Sequence, residues 1–308
     1  MFRFLALGAA VVALSGCASQ TRQVDRLLSA PRTEPRSRTI EKVPFINQSA
    51  GHCGPATLAM VMQSYGHSVS VDDLASQVYT PGLNGTFQTD MISASRRKGM
   101  MAIPIEGFTA LLAEVSAGHP VIVFENLALS WLPQWHYAVV YGFDLDHETV
   151  QMHSGPEAAK VWDIRKLERS WELADYWGLV VLPPDKLSAS ADELSHAKAA
   201  AGLDQANHLN EAQIAYRAML TRWPESLTAL IGVSNKAFEA GNYAQAVTYL
   251  TTATVHHPRV AAAWHNRALA EMAAGMKKPA RASANRALDL VASELRSQYE
   301  SSLAEILK

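Results

Sequence analysis

A 34-residue period in the C-terminal part of the chain constrains its fold more than any other feature. Proline, glycine and apolar residues recur at this spacing: Pro224 and Pro258, Gly241 and Gly275, Leu230 and Trp264, Ala212, Ala246 and Ala280, and Ala253 and Ala287. Small residues at fixed intervals let paired helices cross closely, and a proline ends each unit. Because strand patterns also disappear from about residue 191 onward, we expect this region to be all-helical.

The period matches that of tetratricopeptide repeats, in which helix pairs stack on one another. Two repeats are predicted, over residues 226–259 and from residue 260 onward, preceded by a degenerate one from about residue 192. An irregular alanine-rich helical bundle is the alternative, since alanine is common in any helix. Residues 190–308 carry no cluster of catalytic residue types. We therefore expect this region to hold a protein partner, as concave helical surfaces usually take a peptide or a helix.

Residues 43–185 differ in pattern, because helical segments come mainly first and strand segments mainly last. This order predicts an α+β domain. Helices are expected over residues 55–65, after a capping box at residues 70–73, and over residues 86–98. Strands are expected in four β-branched and aromatic runs, at residues 121–124, 137–141, 149–152 and 177–182.

The N-terminus has the pattern of a secretory signal. Arg3 precedes an apolar stretch over residues 4–14, which is shorter than the roughly 20 apolar residues of a membrane-spanning helix. The sequence Leu-Ser-Gly-Cys follows and ends at Cys17. Residues 1–17 therefore resemble a bacterial lipoprotein signal, in which Cys17 becomes the lipidated first residue, and a short buried helix is the alternative. Ala18 is not acidic, which favours anchoring in the outer membrane, facing the periplasm.

Residues 18–42 are rich in Arg, Ser, Thr and Pro, and so they are expected to form a flexible tether. The whole chain has 27 basic and 29 acidic residues, and the basic ones are scattered. A nucleic-acid-binding surface would need them clustered, so no nucleic-acid partner is expected.

Cys53 is one of two cysteines in the chain, and since Cys17 has a separate explanation, Cys53 has no disulfide partner. It stands at the start of a predicted helix, followed by Gly54 and Pro55. A helix N-terminus and a neighbouring histidinium both favour a thiolate, the form in which cysteine is a nucleophile. Gln48, five residues earlier, can supply a side-chain donor to a developing oxyanion. Alone, a free cysteine would be interpreted as a small buried apolar residue.

A base for Cys53 must come from elsewhere in the sequence and lie on a rigid element. His136 is the best candidate, because it begins the strongly β stretch 136–144. His52 adjoins Cys53, but no further ligands occur at zinc-like spacing. No metal and no organic cofactor is implied.

Together these residues resemble the papain-like cysteine peptidases of the bacteriocin-processing, or double-glycine, type. The resemblance covers about residues 43–182 and rests on Gln48, Cys53-Gly54 and the stretch that His136 leads. It implies that Cys53 is the nucleophile, His136 the general base and later acid, and Gln48 the oxyanion-hole donor. In that family an Asp on the following strand orients the histidine, but residues 150–156 contain no carboxylate. The third role would fall to Ser154, to His153, to a backbone carbonyl, or to no group.

The expected protein is an envelope lipoprotein cysteine peptidase, with a papain-like α+β domain and a C-terminal all-α repeat domain. Its substrate would be a peptide or protein, and its repeats would recruit substrate or partner. A catalytically weak or inactive peptide-binding adaptor is an alternative, motivated by the missing Asp. A related acyl transferase or amidase is another, because it would use the same thiol, base and oxyanion donor.

Overall fold

The computed structural model describes residues 21–29, 35–48, 51–83 and 85–308. The predicted signal, with its candidate lipidation site Cys17, lies outside these residues. Within them an α+β region comes first and an all-helical region follows. The fold class predicted from the sequence is therefore confirmed.

A seven-stranded antiparallel sheet forms the centre of the α+β region, with strand order β4-β9-β5-β6-β7-β8 and β1 beside β6. The strands are β1 (Ser37–Thr39), β4 (Met101–Glu106), β5 (Val121–Asn126), β6 (Trp135–Asp144), β7 (Thr149–Ser154), β8 (Glu157–Asp163) and β9 (Trp177–Leu182), and a separate two-stranded ribbon consists of β2 (Tyr79–Thr80) and β3 (Gly85–Thr86). Their β-branched and aromatic residues suit a pleated surface that is packed on both faces.

Six helices belong to this region: α1 (Arg22–Ser29), α2 (Cys53–Ser64), α3 (Val71–Val78), α4 (Gln88–Arg97), α5 (Gly107–Ser116) and α6 (Ile164–Glu172). The predicted cap at Ser70 is present, because its side chain accepts a hydrogen bond from the Asp73 backbone N–H. Two predicted helix bounds differ. The first helix begins at Cys53 rather than at residue 55, and Thr86 lies in β3 rather than in α4.

Two hydrophobic cores lie on opposite faces of the sheet, because alternate residues of each strand point to opposite sides. In β5, for example, Val123 packs on the face covered by α5 and α6, whereas Ile122 packs on the face covered by α2, α3 and α4. The same alternation in β6 sends Ala138 to the α6 side and Tyr137 to the α2 side.

Part of the stretch expected to be a tether, residues 18–42, is folded. Val24 of α1 is fully buried in the core on the α5 and α6 side. The fully buried Glu168 accepts hydrogen bonds from the backbone N–H groups of Gln23 and Val24, at the start of α1. Residues 18–42 therefore include the amphipathic helix α1 and the short strand β1, which pairs with β6 of the sheet.

The all-helical region consists of three helix pairs and a last helix: α7 (Glu193–Gln205) with α8 (Leu209–Arg222), α9 (Leu227–Glu239) with α10 (Tyr243–His256), α11 (Ala261–Ala273) with α12 (Lys277–Leu290), and α13 (Ser293–Leu307). The pairs start at residues 193, 227 and 261, which are 34 residues apart. Residues equivalent at this spacing are fully buried alanines, such as Ala212, Ala246 and Ala280. The helix pairs thus follow the period seen in the sequence.

The first pair is as regular as the others, although its sequence looks degenerate. Gly241 and Gly275 end α9 and α11 with positive φ angles of 75° and 78°, and Asn207 does the same after α7 with φ 63°. Asparagine is the residue other than glycine that most readily adopts this conformation at the end of a helix. The turn is therefore kept while the glycine that would reveal the repeat is missing.

The first helix pair is joined to the sheet domain by a buried polar cluster around Glu114 of α5. The Glu114 carboxylate accepts hydrogen bonds from Ser188 Oγ, from Ser190 N at 2.8 Å and from Ser190 Oγ at 2.7 Å, and it lies 2.8 Å from His119 Nδ1. Helix α7 also packs against β4, at one edge of the sheet. None of the helices in the described ranges has both the length and the apolar character needed to cross a bilayer.

Candidate active site

Cys53 is the first residue of α2, and this helix enters the core on one face of the sheet. Residues 54–62 of α2 are all buried, so the helix has little freedom to shift. A Cβ on Gly54 would lie 2.7 Å from Thr86 Oγ1, which is closer than atoms pack. Glycine is therefore required here for close packing of α2 against β3, in addition to any approach by a substrate.

Burial raises the pKa of the Cys53 thiol, although hydrogen bonds from the backbone of Tyr137, of Gly54 and of Cys53 itself act in the opposite direction. Desolvation disfavours the charged form of a thiol, and here it outweighs the backbone groups. This differs from the sequence expectation, in which the helix N-terminus produces a thiolate. The helix start is present, but burial keeps the resting thiol neutral.

His136 lies near the start of β6, and its Nε2 is 3.1 Å from the Ser154 Oγ. Burial, together with the positive charge of Lys160, lowers the pKa of His136 to about 4. The imidazole is therefore neutral at pH 7 and able to accept a proton. A neutral thiol and a neutral imidazole describe a resting pair in which no proton has yet moved.

Ser154 lies beside the His136 ring, whereas the ring nitrogens of His153 contact other groups. His153 Nε2 lies 3.1 Å from the Val43 carbonyl oxygen, and its Nδ1 accepts a hydrogen bond from the Ala159 N–H. Both ring nitrogens are thus in use. In the register of β6 and β7, Ser154 pairs with Ala138 and His153 with Val139, so their side chains point to opposite faces.

A serine next to the imidazole acts differently from an aspartate. A hydroxyl both donates and accepts, so Ser154 can pair with either neutral tautomer of His136, whereas a carboxylate only accepts and would fix the proton on Nε2. Ser154 also carries no charge to stabilise an imidazolium. The site therefore positions the ring without the electrostatic support that a carboxylate would give at this place.

Gln48 has a side-chain amide that is buried without a partner. Neither its Nε2 nor its Oε1 has a hydrogen bond among the described residues, and the same holds for Thr86 Oγ1. Buried polar groups are nearly always paired, because an unpaired one loses the hydrogen bonds it made to water. An amide in this state is available to bind an oxygen atom that arrives with a substrate.

The site residues are brought together only in part. The backbone of Tyr137 hydrogen bonds the Cys53 thiol, so the thiol lies beside the residue that directly follows His136. His136 in turn pairs with Ser154. Among the described residues, the Cys53 thiol and the His136 ring are not hydrogen bonded to each other.

Sequence reasoning missed two neighbours of the site. The Tyr137 hydroxyl donates a hydrogen bond of 3.1 Å to the Thr86 carbonyl oxygen, which connects β6 to the ribbon beside α2. Glu125 is fully buried on β5, directly opposite His136. A glutamate directly after the apolar run 121–124, inside the same strand, was a visible signal, since glutamate is seldom fully buried unless it is paired.

The loop before His136 presents an apolar surface. Trp131 is 76 % exposed and Leu132 63 %, and Leu129 and Leu132 form a bridge that holds the loop together. Trp135 stacks on Phe124, with ring centroids 5.1 Å apart. The exposure of Trp131 shows that this side chain is not packed against the domain.

His52 stacks on the Tyr79 ring, with centroids 5.1 Å apart. Among the residues that the structure describes, no group of three or more His, Cys, Asp or Glu side chains is placed to hold a metal ion. The chemistry available at the site is that of a thiol, an imidazole, a hydroxyl and an amide. This set fits nucleophilic acyl transfer.

Residues 40–178 match the model of the Peptidase_C39 like family. This segment contains Gln48, Cys53, His136 and Ser154. The α+β domain is thus similar in sequence to this family over residues 40–178. The comparison with curated proteins gives no match.

Three solved structures show the range of structural similarity. A protein from Bacillus anthracis described as a C39-like peptidase is 18 % identical, with a TM-score of 0.43, and the match covers 50 % of this chain and all of that one. The peptidase domain of Streptococcus ComA, a bifunctional ABC transporter involved in quorum sensing, is 21 % identical, with a TM-score of 0.39 over 46 % of this chain and 98 % of that one. A double-glycine motif protease from an AMS/PCAT transporter, solved with the leader peptide, is 22 % identical, with a TM-score of 0.37 over 49 % and 96 %.

Proposed function

We propose that the α+β domain is a cysteine peptidase that hydrolyses peptide bonds with Cys53 as nucleophile and His136 as base. The observation that carries the proposal is the hydrogen bond from the backbone of Tyr137 to the Cys53 thiol, beside a neutral His136 that Ser154 holds. It supports the roles because it brings the nucleophile, which packs on the α2 side, to the start of β6 directly after the residue that carries the base. The match of residues 40–178 to a peptidase family agrees with it.

In the proposed reaction the thiol is neutral until substrate binds. Cys53 Sγ then attacks the peptide carbonyl carbon, its proton passes to the His136 imidazole, and the carbonyl electron pair moves to the oxygen. The backbone N–H of Cys53, which has no intrahelical acceptor at the helix start, and the Gln48 amide would stabilise that oxyanion. When the carbon–nitrogen bond breaks, His136 returns its proton to the leaving amine, and water then hydrolyses the thioester.

Peptide hydrolysis can be tested with a library of peptides digested from a bacterial proteome, incubated with the full chain and analysed by mass spectrometry. We expect cleavage products with the wild-type protein and none with Cys53→Ala, while His136→Ala should reduce the rate by about 10²- to 10⁴-fold. The Cys53→Ala and His136→Ala proteins must show wild-type circular dichroism. Cleavage that persists in Cys53→Ala would overturn the proposal.

Gln48→Ala gives a separate test of the oxyanion role. Removal of one such donor costs about 10²- to 10³-fold in kcat, with KM changed much less. A variant with unchanged kcat would remove Gln48 from the mechanism without affecting the roles of Cys53 and His136. Gln63→Ala is the matched control, because that glutamine of α2 donates to the Val69 carbonyl oxygen and lies ten residues from Cys53.

A second candidate function is a peptide-binding adaptor with a weak or inactive site. Two features favour it: no hydrogen bond joins the Cys53 thiol to the His136 ring, and Ser154 stands where the family has a carboxylate. In the library experiment an adaptor would retain peptides without cleaving them, and Cys53→Ala would retain them equally well.

We further propose that Cys17 is lipidated, that the protein is anchored to the outer membrane facing the periplasm, and that the helix pairs are tetratricopeptide repeats that recruit a protein substrate or partner. The sequence at residues 14–17 and the 34-residue spacing of the helix pairs support this. Expression in a Gram-negative host with an alkyne-labelled palmitate should label the wild-type protein and leave Cys17→Ser unlabelled. Label on Cys17→Ser would exclude this attachment site.

A further inference from the structure

Glu125 is the cross-strand partner of His136. The two residues are directly opposite each other in the antiparallel pairing of β5 and β6. Directly opposed side chains project from the same face of a sheet, with Cβ atoms about 4.5–5.5 Å apart. Val123 and Ala138, the next pair in the same orientation, both pack in the core on the α5 and α6 side, which places Glu125 and His136 on that side of the sheet. Cys53 packs on the α2 side and meets the start of β6 at the Tyr137 backbone, so the proposed proton transfer has to cross the end of the sheet at His136.

The Glu125 carboxyl is fully buried and only half satisfied. Its Oε2 accepts a hydrogen bond of 2.7 Å from Ser170 Oγ of α6, while its Oε1 is buried without any partner among the described residues. A buried carboxyl oxygen without a donor is costly. Packing does not explain why a glutamate occupies this position, because an apolar residue would fill the same volume without the free-energy cost of an unpaired polar atom. A buried polar group without a partner therefore calls for another explanation.

One charged residue, Lys160, affects the pKa values of both Glu125 and His136. Burial raises the pKa of Glu125 to about 7, and the hydrogen bond from Ser170 and the positive charge of Lys160 act against that rise. Lys160 of β8 also lowers the pKa of His136. Lys160 is itself paired with Glu157 at 2.9 Å. Glu125 and His136 therefore lie within reach of one and the same charge, which agrees with their pairing in the sheet.

We propose that Glu125 is a positioning residue of the peptidase site, whose carboxylate stabilises the His136 imidazolium from the neighbouring strand. It would supply the negative charge that Ser154 lacks. In the step concerned, the proton moves from Cys53 Sγ to the His136 ring, a thiolate and an imidazolium form, and the Glu125 carboxylate neither gains nor loses a proton. This proposal rests on the proposed function, because it assigns Glu125 a role in the same proton transfer.

The test measures the rate at which iodoacetamide alkylates Cys53 in the full chain, by mass spectrometry of the Cys53 peptide. At pH 7.5 the resting thiol is neutral, so the rate reports attack in which His136 takes the Cys53 proton, whereas the rate at pH 10 reports attack by the thiolate without that help. Their ratio cancels changes in access. We expect His136→Ala and Glu125→Gln each to lower the ratio about tenfold relative to wild type, with little change at pH 10.

Two control variants separate a charge effect from a structural one. Glu168→Gln neutralises another fully buried carboxylate of the same domain, which serves α1 and not His136, and it should leave the ratio unchanged. Ser154→Asp adds a carboxylate at the His136 Nε2, and when combined with Glu125→Gln it should restore the ratio at least to the wild-type value. A structural role of Glu125 would not be rescued by a charge placed at a different atom.

A measurement on the wild-type protein does not depend on how any Glu125 variant folds. The ring resonances of His136, identified by their loss in His136→Ala, should shift in a step near pH 7 as Glu125 ionises, well above the pH at which the ring itself titrates. Absence of that step would show that the Glu125 charge does not reach the ring, and it would overturn the proposal.

Failure of the Glu125 role can be distinguished from failure of the Cys53–His136 assignment. If the ratio falls in His136→Ala and stays at the wild-type value in Glu125→Gln, the role of Glu125 is wrong while the peptidase proposal stands. If His136→Ala leaves the ratio unchanged, the Cys53–His136 assignment fails, and the role of Glu125 fails with it.

Discussion

Glu114 and Glu125 are both fully buried carboxylates of the sheet domain, yet their surroundings move their pKa values in opposite directions. Burial alone would raise the pKa of Glu114, but hydrogen bonds from His119, Ser188 and Ser190 outweigh it and lower the pKa to about 2. Glu125 has one donor, Ser170, and burial raises its pKa to about 7. The number of donors decides whether a buried carboxyl is charged at rest.

The comparison separates a structural site from a functional one. The Glu114 carboxylate accepts hydrogen bonds from Ser188 and Ser190, in the segment that leads to α7. These hydrogen bonds connect the sheet domain to the first helix pair. At Glu125 the unsatisfied oxygen leaves the charge poised to form near neutral pH, beside the residue proposed as the base. A carboxyl that titrates in the working range of pH is more often found at functional sites.

The largest effect is expected for Glu114→Ala. It leaves the buried His119 and Ser188, and also Ser190, without their acceptor. We expect a loss of about 3–5 kcal/mol in the free energy of unfolding, measured in urea at pH 7. Asp185→Ala, at an exposed residue shortly before the same segment, should change it by less than about 0.5 kcal/mol. A small effect at Glu114 would mean that the junction does not depend on this cluster.

The two carboxyls should affect stability with opposite dependence on pH. Since the folded pKa of Glu114 is lowered to about 2, its stabilisation is present above the unfolded value of about 4.3 and is lost as pH falls towards 2. Since the folded pKa of Glu125 is raised to about 7, the folded protein retains a proton that the unfolded chain releases, and stability falls as pH rises from about 4 through 7.

Glu125→Gln removes this second dependence. As pH rises from 4 to 8, the variant should gain about 3 kcal/mol of unfolding free energy relative to wild type. As pH rises from 2 to 5, Glu114→Gln should lose a similar amount relative to wild type. Urea unfolding at several pH values measures both. Parallel pH curves for the two variants would contradict the difference in pKa on which the comparison rests.

A smaller effect distinguishes the two hydroxyl donors. Ser190→Ala leaves Glu114 with other donors and should cost about 1 kcal/mol at every pH between 5 and 8. Ser170→Ala leaves Glu125 with none, so its cost should grow as pH rises and the carboxyl ionises. The unfolding free energy at pH 5 and pH 8 gives the test, and a pH-independent cost for Ser170→Ala would go against it.

The smallest effect concerns the turn of the first helix pair. Asn207→Gly should change the unfolding free energy by less than about 1 kcal/mol, because glycine relieves the positive φ but makes the unfolded chain more flexible. Gly241→Asn, at the equivalent turn of the next pair, is the matched variant. A large loss at Asn207 would mean that the first pair depends on its turn as well as on Glu114.

Much of the fold could be predicted from local pattern. The strand at Trp177–Leu182 and the cap at Ser70 were found because their signals are local and strong. Strand β8 was missed because it is mostly exposed and has no apolar alternation. Strand β4 was missed because Pro104 argues against a strand, although proline is accepted in an edge strand such as this one.

The candidate site was predictable in identity but not in charge state. Cys53, His136 and Ser154 could be named from the sequence because their spacing resembles a family pattern, and their ionisation could not, because it depends on burial that only the packed core defines. Glu125 went unnoticed for a related reason. Its importance comes from the register of β5 and β6, which places it opposite His136, and register is a property of the sheet as a whole.

The sheet ends differently at its two edges, and this affects the solubility of any shortened protein. Edge strand β8 is mostly exposed and carries Glu157, Lys160 and Asp163, charges that discourage pairing with a second sheet. Edge strand β4 is almost entirely apolar and is covered by α7. Removal of the helical region would therefore expose a bare apolar edge, and the isolated sheet domain would be prone to aggregate by edge-to-edge strand pairing.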